Sequence, residues 1–228
     1  MIPLWLHALS IASLLIGAVC FTLIMIDILR HPQRMAIMNL VWPVTALFGG
    51  VLVLWFYRAH GRATVQAKRN FALSVATGAL HCGSGCTLGD ICAEWLVVTA
   101  PAVAVAFGWH SLFDHRIFAV WVVDYLFAYA FGIVFQYFSI APMRGLAFGP
   151  GLLAAIKADT LSLTAWQIGM YGFMAIAHFV IFPQGFGAML HTASPEFWFM
   201  MQIAMLCGFA TAYPVNWWLI RAGIKEEM

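Results

Sequence analysis

Long apolar runs separated by short polar joints dominate the chain. A run of about 18 or more apolar residues reads as a membrane-spanning helix. Six spans are expected on this basis, at roughly 4–28, 36–57, 87–107, 117–140, 160–182 and 196–220. The joints at 30–34, 58–70, 110–116, 144–159 and 184–196 are short. The pattern therefore predicts one all-α polytopic membrane helix bundle over residues 1–228, with no second domain and no internal repeat. The stretch from Phe71 to Phe107 is too long for one crossing. As a single helix it would measure about 55 Å against a hydrocarbon core of about 30 Å. Phe71 to Leu80 cannot span alone, and Gly83, Gly85 and Gly89 follow it, glycine being the residue that allows helix-ending backbone shapes. The expectation is a short helix, a glycine-rich break, and a third span starting near Thr87.

Composition supports a bilayer environment. The chain is 64% hydrophobic and 9% charged, with a mean hydropathy of +0.91, whereas a soluble domain carries about 25% charge. No Lys or Arg precedes the first apolar run, and Val19-Cys20 lacks the small residue of a cleavage site, so Leu4 to Ile28 is expected to stay in the membrane. Charge bias gives an orientation. With six spans and both termini in the cytoplasm, Arg58, Arg62, Lys68, Arg69, Arg144, Lys157, Arg221 and Lys225 lie inside, while Arg30, Arg34 and Arg116 lie outside. That distribution follows the positive-inside rule. Counting 71–107 as two spans would remove the bias. Trp5, Trp55, Tyr57, Trp109 and Trp198 fall near span ends, where amphipathic rings favour the interface. A net charge of +2 without a basic cluster argues against nucleic-acid binding. The absence of a Walker-type loop argues against ATP-driven transport by this chain alone.

The richest chemistry lies between His81 and Glu94, in the order His81, Cys82, Gly83, Ser84, Gly85, Cys86, Thr87, Leu88, Gly89, Asp90, Ile91, Cys92, Ala93, Glu94. Imidazole and thiolate suit Cu(I) and Zn(II), and a glycine-rich loop could fold His81, Cys82 and Cys86 around one ion. Asp90 and Glu94, four apart, share a helix face. The spacing Cys-x3-Cys is neither a zinc-ribbon nor a Cys-x2-Cys redox spacing, so a thiol–disulfide pair and plain helix packing by small residues both stay open. Cys20 and Cys207 read as small apolar fillers.

Other polar residues fall inside the apolar runs. Thr160, Thr164, Gln167, Tyr171 and His178 form a stripe on one helix face, extended by Lys157. Such a stripe faces protein or water rather than lipid, as a polar path or as a hydrogen-bonded helix contact. Asp124 sits well inside the fourth span, as a path residue or paired with Lys157 or His178. Two Met-x3-Met pairs, Met170/Met174 and Met201/Met205, favour copper over zinc if a metal moves here, although Met is also an ordinary gap filler. His110, Asp114 and His115 form a second patch of metal-ligand types between two spans. Pro43 and Pro214 are expected to kink their helices, with Asn39 and Asn216 placed to satisfy freed backbone groups.

The motif His81-Cys82-x-x-Gly85-Cys86-x-x-Gly89-Asp90, preceded by Met38-Asn39-Leu40-Val41-Trp42-Pro43 and followed by Lys157-Ala158-Asp159-Thr160-Leu161-Ser162, resembles a family of bacterial inner-membrane proteins known only as a domain of unknown function. The resemblance implies a bacterial inner-membrane location and a shared site built from these three segments. It implies no activity.

The sequence thus leads to three expectations. The first is a membrane protein that binds and transports a soft transition metal, copper before zinc, through His81, Cys82, Cys86, Asp90 and Glu94, with a polar path along Asp124, Lys157, Asp159, Gln167 and His178. The second is a membrane thiol–disulfide oxidoreductase using Cys82 and Cys86. The third is a subunit or assembly factor of a larger membrane complex, or an oligomer.

Overall fold

The computed structural model describes residues 2–64 and 70–227; Lys68 and Arg69, counted in the charge bias, lie outside them. The fold is an all-helical bundle, as the apolar runs predict. Its helices are α1 (Leu4–Arg30), α2 (Met38–Phe56), α3 (Phe71–Thr99), α4 (Ala102–Ala106), α5 (Arg116–Arg144), α6 (Phe148–Ile176) and α7 (Pro195–Arg221). α2 and α6 continue into π-helical stretches, Tyr57–Gly61 and Ala177–Phe186. Among the described residues five segments are long and apolar enough to cross a membrane: Leu4–Arg30, Met38–Gly61, Arg116–Arg144, Phe148–Phe186 and Pro195–Arg221.

One of those five folds back on itself. Gly50 has φ 50° and ψ −128°, far from helical values. Beyond it, Phe56 and Tyr57 return to Trp42, with ring centroids at 5.8 and 5.5 Å, and Gly61 lies against the same indole. In a straight helix Trp42 and Gly61 would be about 28 Å apart along the axis. The segment is therefore a re-entrant hairpin of two half-helices, 38–49 and 51–61, each about 17 Å long. Its tip meets the middle of α1, where Gly17 approaches the Leu47 carbonyl. Its base is held to the end of α1, where Asp27 accepts hydrogen bonds from Tyr57 Oη (2.8 Å) and from Arg62 Nε and Nη2 (2.9 and 2.6 Å).

α3 corrects the expected glycine-rich break. It is one continuous helix of 29 residues, about 43 Å long. It starts on the Asn70 side chain, which accepts from Leu73 N at 2.9 Å. It ends just before Pro101, a residue that disfavours helix at the position preceding it. The glycines serve close packing instead. Gly85 and Gly89 face Gly132 and Ala128 of α5, leaving no room for a side chain between the two backbones, as small-xxx-small pairs do in membranes. Gly83 and Gly208 flank the Trp166 indole. α3 is too polar to stand among the five apolar segments, yet it occupies the centre, packed on α2, α5, α6 and α7.

Five helices thus run from end to end: α1, α3, α5, α6 and α7. The expected second span enters and returns. The contacts fix the order. His7 and Glu196 meet at 2.6 Å, so α1 and α7 start at one end, where Arg116 Nη2 also reaches the Val97 carbonyl at 2.8 Å. Phe71 packs on Trp217 at the other end, with centroids 4.7 Å apart. α1 consequently starts at the end of the bundle opposite to the one where α7 finishes, because the expected second span returns to the side it entered from. The expected fifth span, α6, also differs from expectation. Residues 148–159, read as a polar joint, are helical, so Lys157 and Asp159 sit within α6.

Candidate functional site

α3 and two of the helices around it bring buried acids to the bundle interior. Asp90 and Glu94 come from α3, Asp124 from α5 and Asp159 from α6, and each is at most 4% exposed. Both carboxylate oxygens of Asp90, of Asp124 and of Asp159 lack a hydrogen-bond partner among the described residues. So do the amide atoms of Gln136 and Gln167, which are also buried. Gln167 lies beside Asp90, and Asp124 lies in the field of Asp90 and Glu94. A buried polar group without a partner costs roughly 1–3 kcal/mol. Such a group in a native protein points to water, an ion or a functional use.

The two ends of this series are finished differently. At the Arg116 end, Glu94 Oε2 accepts from Thr192 Oγ1 at 2.7 Å. It borders a cavity of about 160 Å³ shared with Arg116, His178, His191 and Thr192. At the opposite end Lys225 turns inward and is 2% exposed. Its Nζ donates to Asn216 Oδ1 (2.7 Å), the Gly78 carbonyl (3.2 Å) and Ser162 Oγ (3.4 Å). Asp159 sits between, its carboxylate resting on the bare face of Gly132 and within the influence of Lys225.

The predicted ligands divide between two faces of α3. Cys82 and Cys86, four apart, are buried neighbours with free thiols, and Asp159 lies beside Cys82. His81 turns toward α5, where its Nε2 meets Ser139 Oγ at 3.1 Å beside Gln136. Among the described residues no three His, Cys, Asp or Glu side chains come close enough to hold one ion. His81 therefore does not complete a chelate with the two thiols as arranged, and Asp90 and Glu94 sit one and two turns further along.

The polar stripe of α6 resolves into two parts. Thr160 and Thr164 meet Tyr129 and Tyr125 of α5, each at 2.9 Å, and Tyr171 donates to the Trp121 carbonyl at 3.0 Å. These are hydrogen-bonded helix contacts. Gln167 instead turns into the acid series. Lys157 is exposed, so it pairs with neither Asp124 nor the interior. His110 stacks on Trp109 at 4.1 Å while His115 packs on Phe179 at 5.0 Å, separating the members of the second patch. Asn216 Nδ2 donates to the Ala212 carbonyl at 2.9 Å, not to the Ala210 carbonyl that Pro214 frees, and Asn39 caps Gln33 N at 2.8 Å.

A second cavity, of about 200 Å³, lies at the hairpin tip between α1, α2, α3 and α7. Asp90, Phe48, Trp198, Met201 and Met205 border it. Gln202 secures the tip beside it, donating from Nε2 to the Leu47 carbonyl at 2.6 Å and accepting from Ser13 Oγ at 2.6 Å. Sequence reasoning missed Lys225, Gln136 and this cavity. A lysine next to Glu226 and Glu227 reads as part of a solvated tail, and a hairpin inside an apolar run leaves only Gly49-Gly50 as its signal.

No curated protein and no solved structure shows significant similarity to the chain. One family does match: residues 73–225, from the start of α3 to Lys225, fit the family described as Domain of unknown function (DUF4396). That stretch carries every acid of the buried series as well as Cys82 and Cys86; the segment Met38 to Pro43 and the rest of the hairpin lie outside it. By this match over most of its length, the chain belongs to the DUF4396 family.

Proposed function

We propose that the protein is a membrane transporter in which protons move along the series Glu94, Asp124, Asp90 and Asp159. The observation that carries this reading is the set of three wholly buried carboxylates, Asp90, Asp124 and Asp159, none of whose oxygens has a hydrogen-bond partner among the described residues. Ionisable groups at bilayer depth are costly and typically line ion pathways or proton relays. The Glu94 cavity supplies an entrance at one end, and the Lys225 network closes the other. The re-entrant hairpin supports the same reading, because non-helical backbone at membrane depth is tolerated only within protein or along a water-filled cavity.

Charge supports an orientation in a bacterial inner membrane. Among the described residues Arg116 is the one Lys or Arg at one end. Arg30, Arg34, Arg58, Arg62, Arg144, Lys157, Arg221 and Lys225 lie in the other half. The positive-inside rule makes that half cytoplasmic, with the N-terminus outside and the C-terminus inside. The test is proton uptake into liposomes holding the purified protein and a pH-sensitive dye, driven by a potassium diffusion potential. Asp90→Asn and Asp159→Asn should each slow uptake at least about tenfold, as loss of a relay member does. Uptake equal in wild type and both variants would sink the reading.

A second reading keeps a soft metal, copper or zinc, as cargo. It is favoured by Cys82 and Cys86 sharing one face of α3, which leaves two soft sulfur donors. Elemental analysis of untagged protein should then find copper or zinc, lost in the Cys82→Ser, Cys86→Ser double variant; unchanged metal content in that variant excludes it.

A further inference from the structure

We infer that a cavity at the base of the hairpin is a binding site for an anionic glycerophospholipid, whose phosphate is held by Arg58 and Arg62. The site lies apart from the buried acids, goes beyond the transport reading and does not depend on it.

Six residues wall this space of about 300 Å³: Leu23 and Asp27 of α1, then Leu54, Tyr57, Arg58 and Arg62 on or just after the returning arm of the hairpin. Asp27 is the one acid among them, and its oxygens are occupied. Oδ2 accepts from Tyr57 Oη and Arg62 Nε, and Oδ1 accepts from Arg62 Nη2, with His31 Nδ1 3.3 Å from Oδ1. A cation entering here would meet a carboxylate that is already neutralised. Donors, in contrast, are in surplus. Arg58 is exposed and has no hydrogen-bond or ion-pair partner among the described residues. Arg62 keeps its second terminal nitrogen, Nη1, beyond the two it gives to Asp27. One acid against two guanidiniums leaves the cavity net positive. Guanidinium N–H groups match the spacing of phosphate oxygens, so a phosphate completes the set. The pair with Asp27 also holds Arg62 in place beforehand, which reduces the ordering cost of binding.

The surroundings decide where that phosphate comes from. Leu23 is itself exposed. Its wall continues into exposed Val19 and Ile26 on the same side of α1, and Leu54 is flanked by exposed Leu52 and Trp55. In a membrane bundle such apolar surface faces acyl chains. α1 has 27 residues and is about 40 Å long, more than the hydrocarbon core of about 30 Å. Its last turn, which holds Asp27, therefore stands at headgroup depth, the level that Trp55 also favours. A free phosphate would meet the guanidiniums alone. A lipid would meet them with its headgroup and lay its chains against Leu23 and Leu54. Basic pockets between membrane helices on the positively charged side are suited to anionic headgroups, and this cavity lies in the half of the bundle that holds Arg30, Arg34, Arg58 and Arg62. A lipid bound there would bridge α1 and the hairpin and brace the hairpin at its base.

The experiment is native mass spectrometry of the delipidated, full-length protein in detergent. It is titrated with dioleoylphosphatidylglycerol, with dioleoylphosphatidylcholine, which has the same chains and no net charge, and with inorganic phosphate. One phosphatidylglycerol is expected to bind first, with a Kd at least about fivefold below that of phosphatidylcholine. Arg58→Gln, which removes a side chain with no partner to lose, should weaken phosphatidylglycerol binding at least about fivefold. Arg144→Gln should leave it unchanged, because that exposed arginine pairs with Glu226 and belongs to α5, which packs on α3 and α6. The inference is overturned if the two lipids bind alike, or if the two variants bind phosphatidylglycerol equally well. It is also overturned if inorganic phosphate displaces the lipid at equal concentration, which would make this a site for a soluble anion.

Discussion

At the scale of single residues, small side chains create the room that the buried acids occupy. Gly132 is the clearest case. A methyl group there would run into the Asp159 carboxylate and crowd Leu163. Gly132→Ala should lower stability by about 1–3 kcal/mol, the usual cost of overpacking, and shift Asp159 from its place beside Cys82. Gly149→Ala, at a position with open space around it, should leave the unfolding midpoint unchanged. Thermal unfolding of the two variants in the same detergent checks the difference, and equal midpoints would show that Asp159 has freedom to move. The residue scale is also where the sequence was most legible. Asp90, Glu94, Asp124 and Gln167 were chosen because polar groups inside apolar runs demand a reason, and Asp159 as part of the 157–162 segment; all five are buried, whereas Lys157 and His178 of the same expected path are exposed and half-buried. His81 was chosen with the thiols on chain proximity. One residue of offset turns a helical side chain by about 100°, and that rotation puts it against Ser139 instead of Cys82.

At the scale of elements, two glycine signals were read in reverse. Gly83, Gly85 and Gly89 looked like a break, but each abuts a neighbouring backbone or ring and none leaves the helix. Gly49-Gly50 looked like part of a straight span, but the chain reverses there. Local composition cannot distinguish these outcomes. Glycine lowers the cost of a turn and of a close contact alike, and the choice is made by which partners the rest of the chain supplies. For α3 the partners are Gly132, Ala128 and Trp166; for the hairpin they are Trp42, Gly17 and Gln202. The reversal makes a prediction. Gly50 has space around it, the nearest atom to an added methyl being Ile16 Cγ2 at 3.8 Å, so Gly50→Ala tests backbone strain alone. It should cost about 1–3 kcal/mol, whereas Gly172→Ala, in a regular helix with open surroundings, should cost nothing measurable. Equal unfolding midpoints for the two would argue that the tip adopts another conformation.

At the scale of the whole molecule, the proposed orientation has an odd number of full crossings and puts the termini on opposite sides. Reporter fusions that fluoresce only in the cytoplasm should be bright at the C-terminus and dark at the N-terminus; two bright fusions would restore six crossings. The Lys225 network adds a constraint at the C-terminal side, where Arg144 and Glu226 also pair, fastening the tail beneath α3 and α6. The polarity of α3 has one more consequence, for how the molecule is made. This helix leaves the ribosome well before α5, and His81, Asp90 and Glu94 interrupt its apolar run, residues that weigh against commitment to lipid. Its glycine face is covered only when Ala128 and Gly132 of α5 arrive. The central helix is therefore expected to reach its final packing only once the following helix is synthesised. Membrane integration of this protein is in that sense a folding reaction, completed when α5 docks and not when α3 is translated.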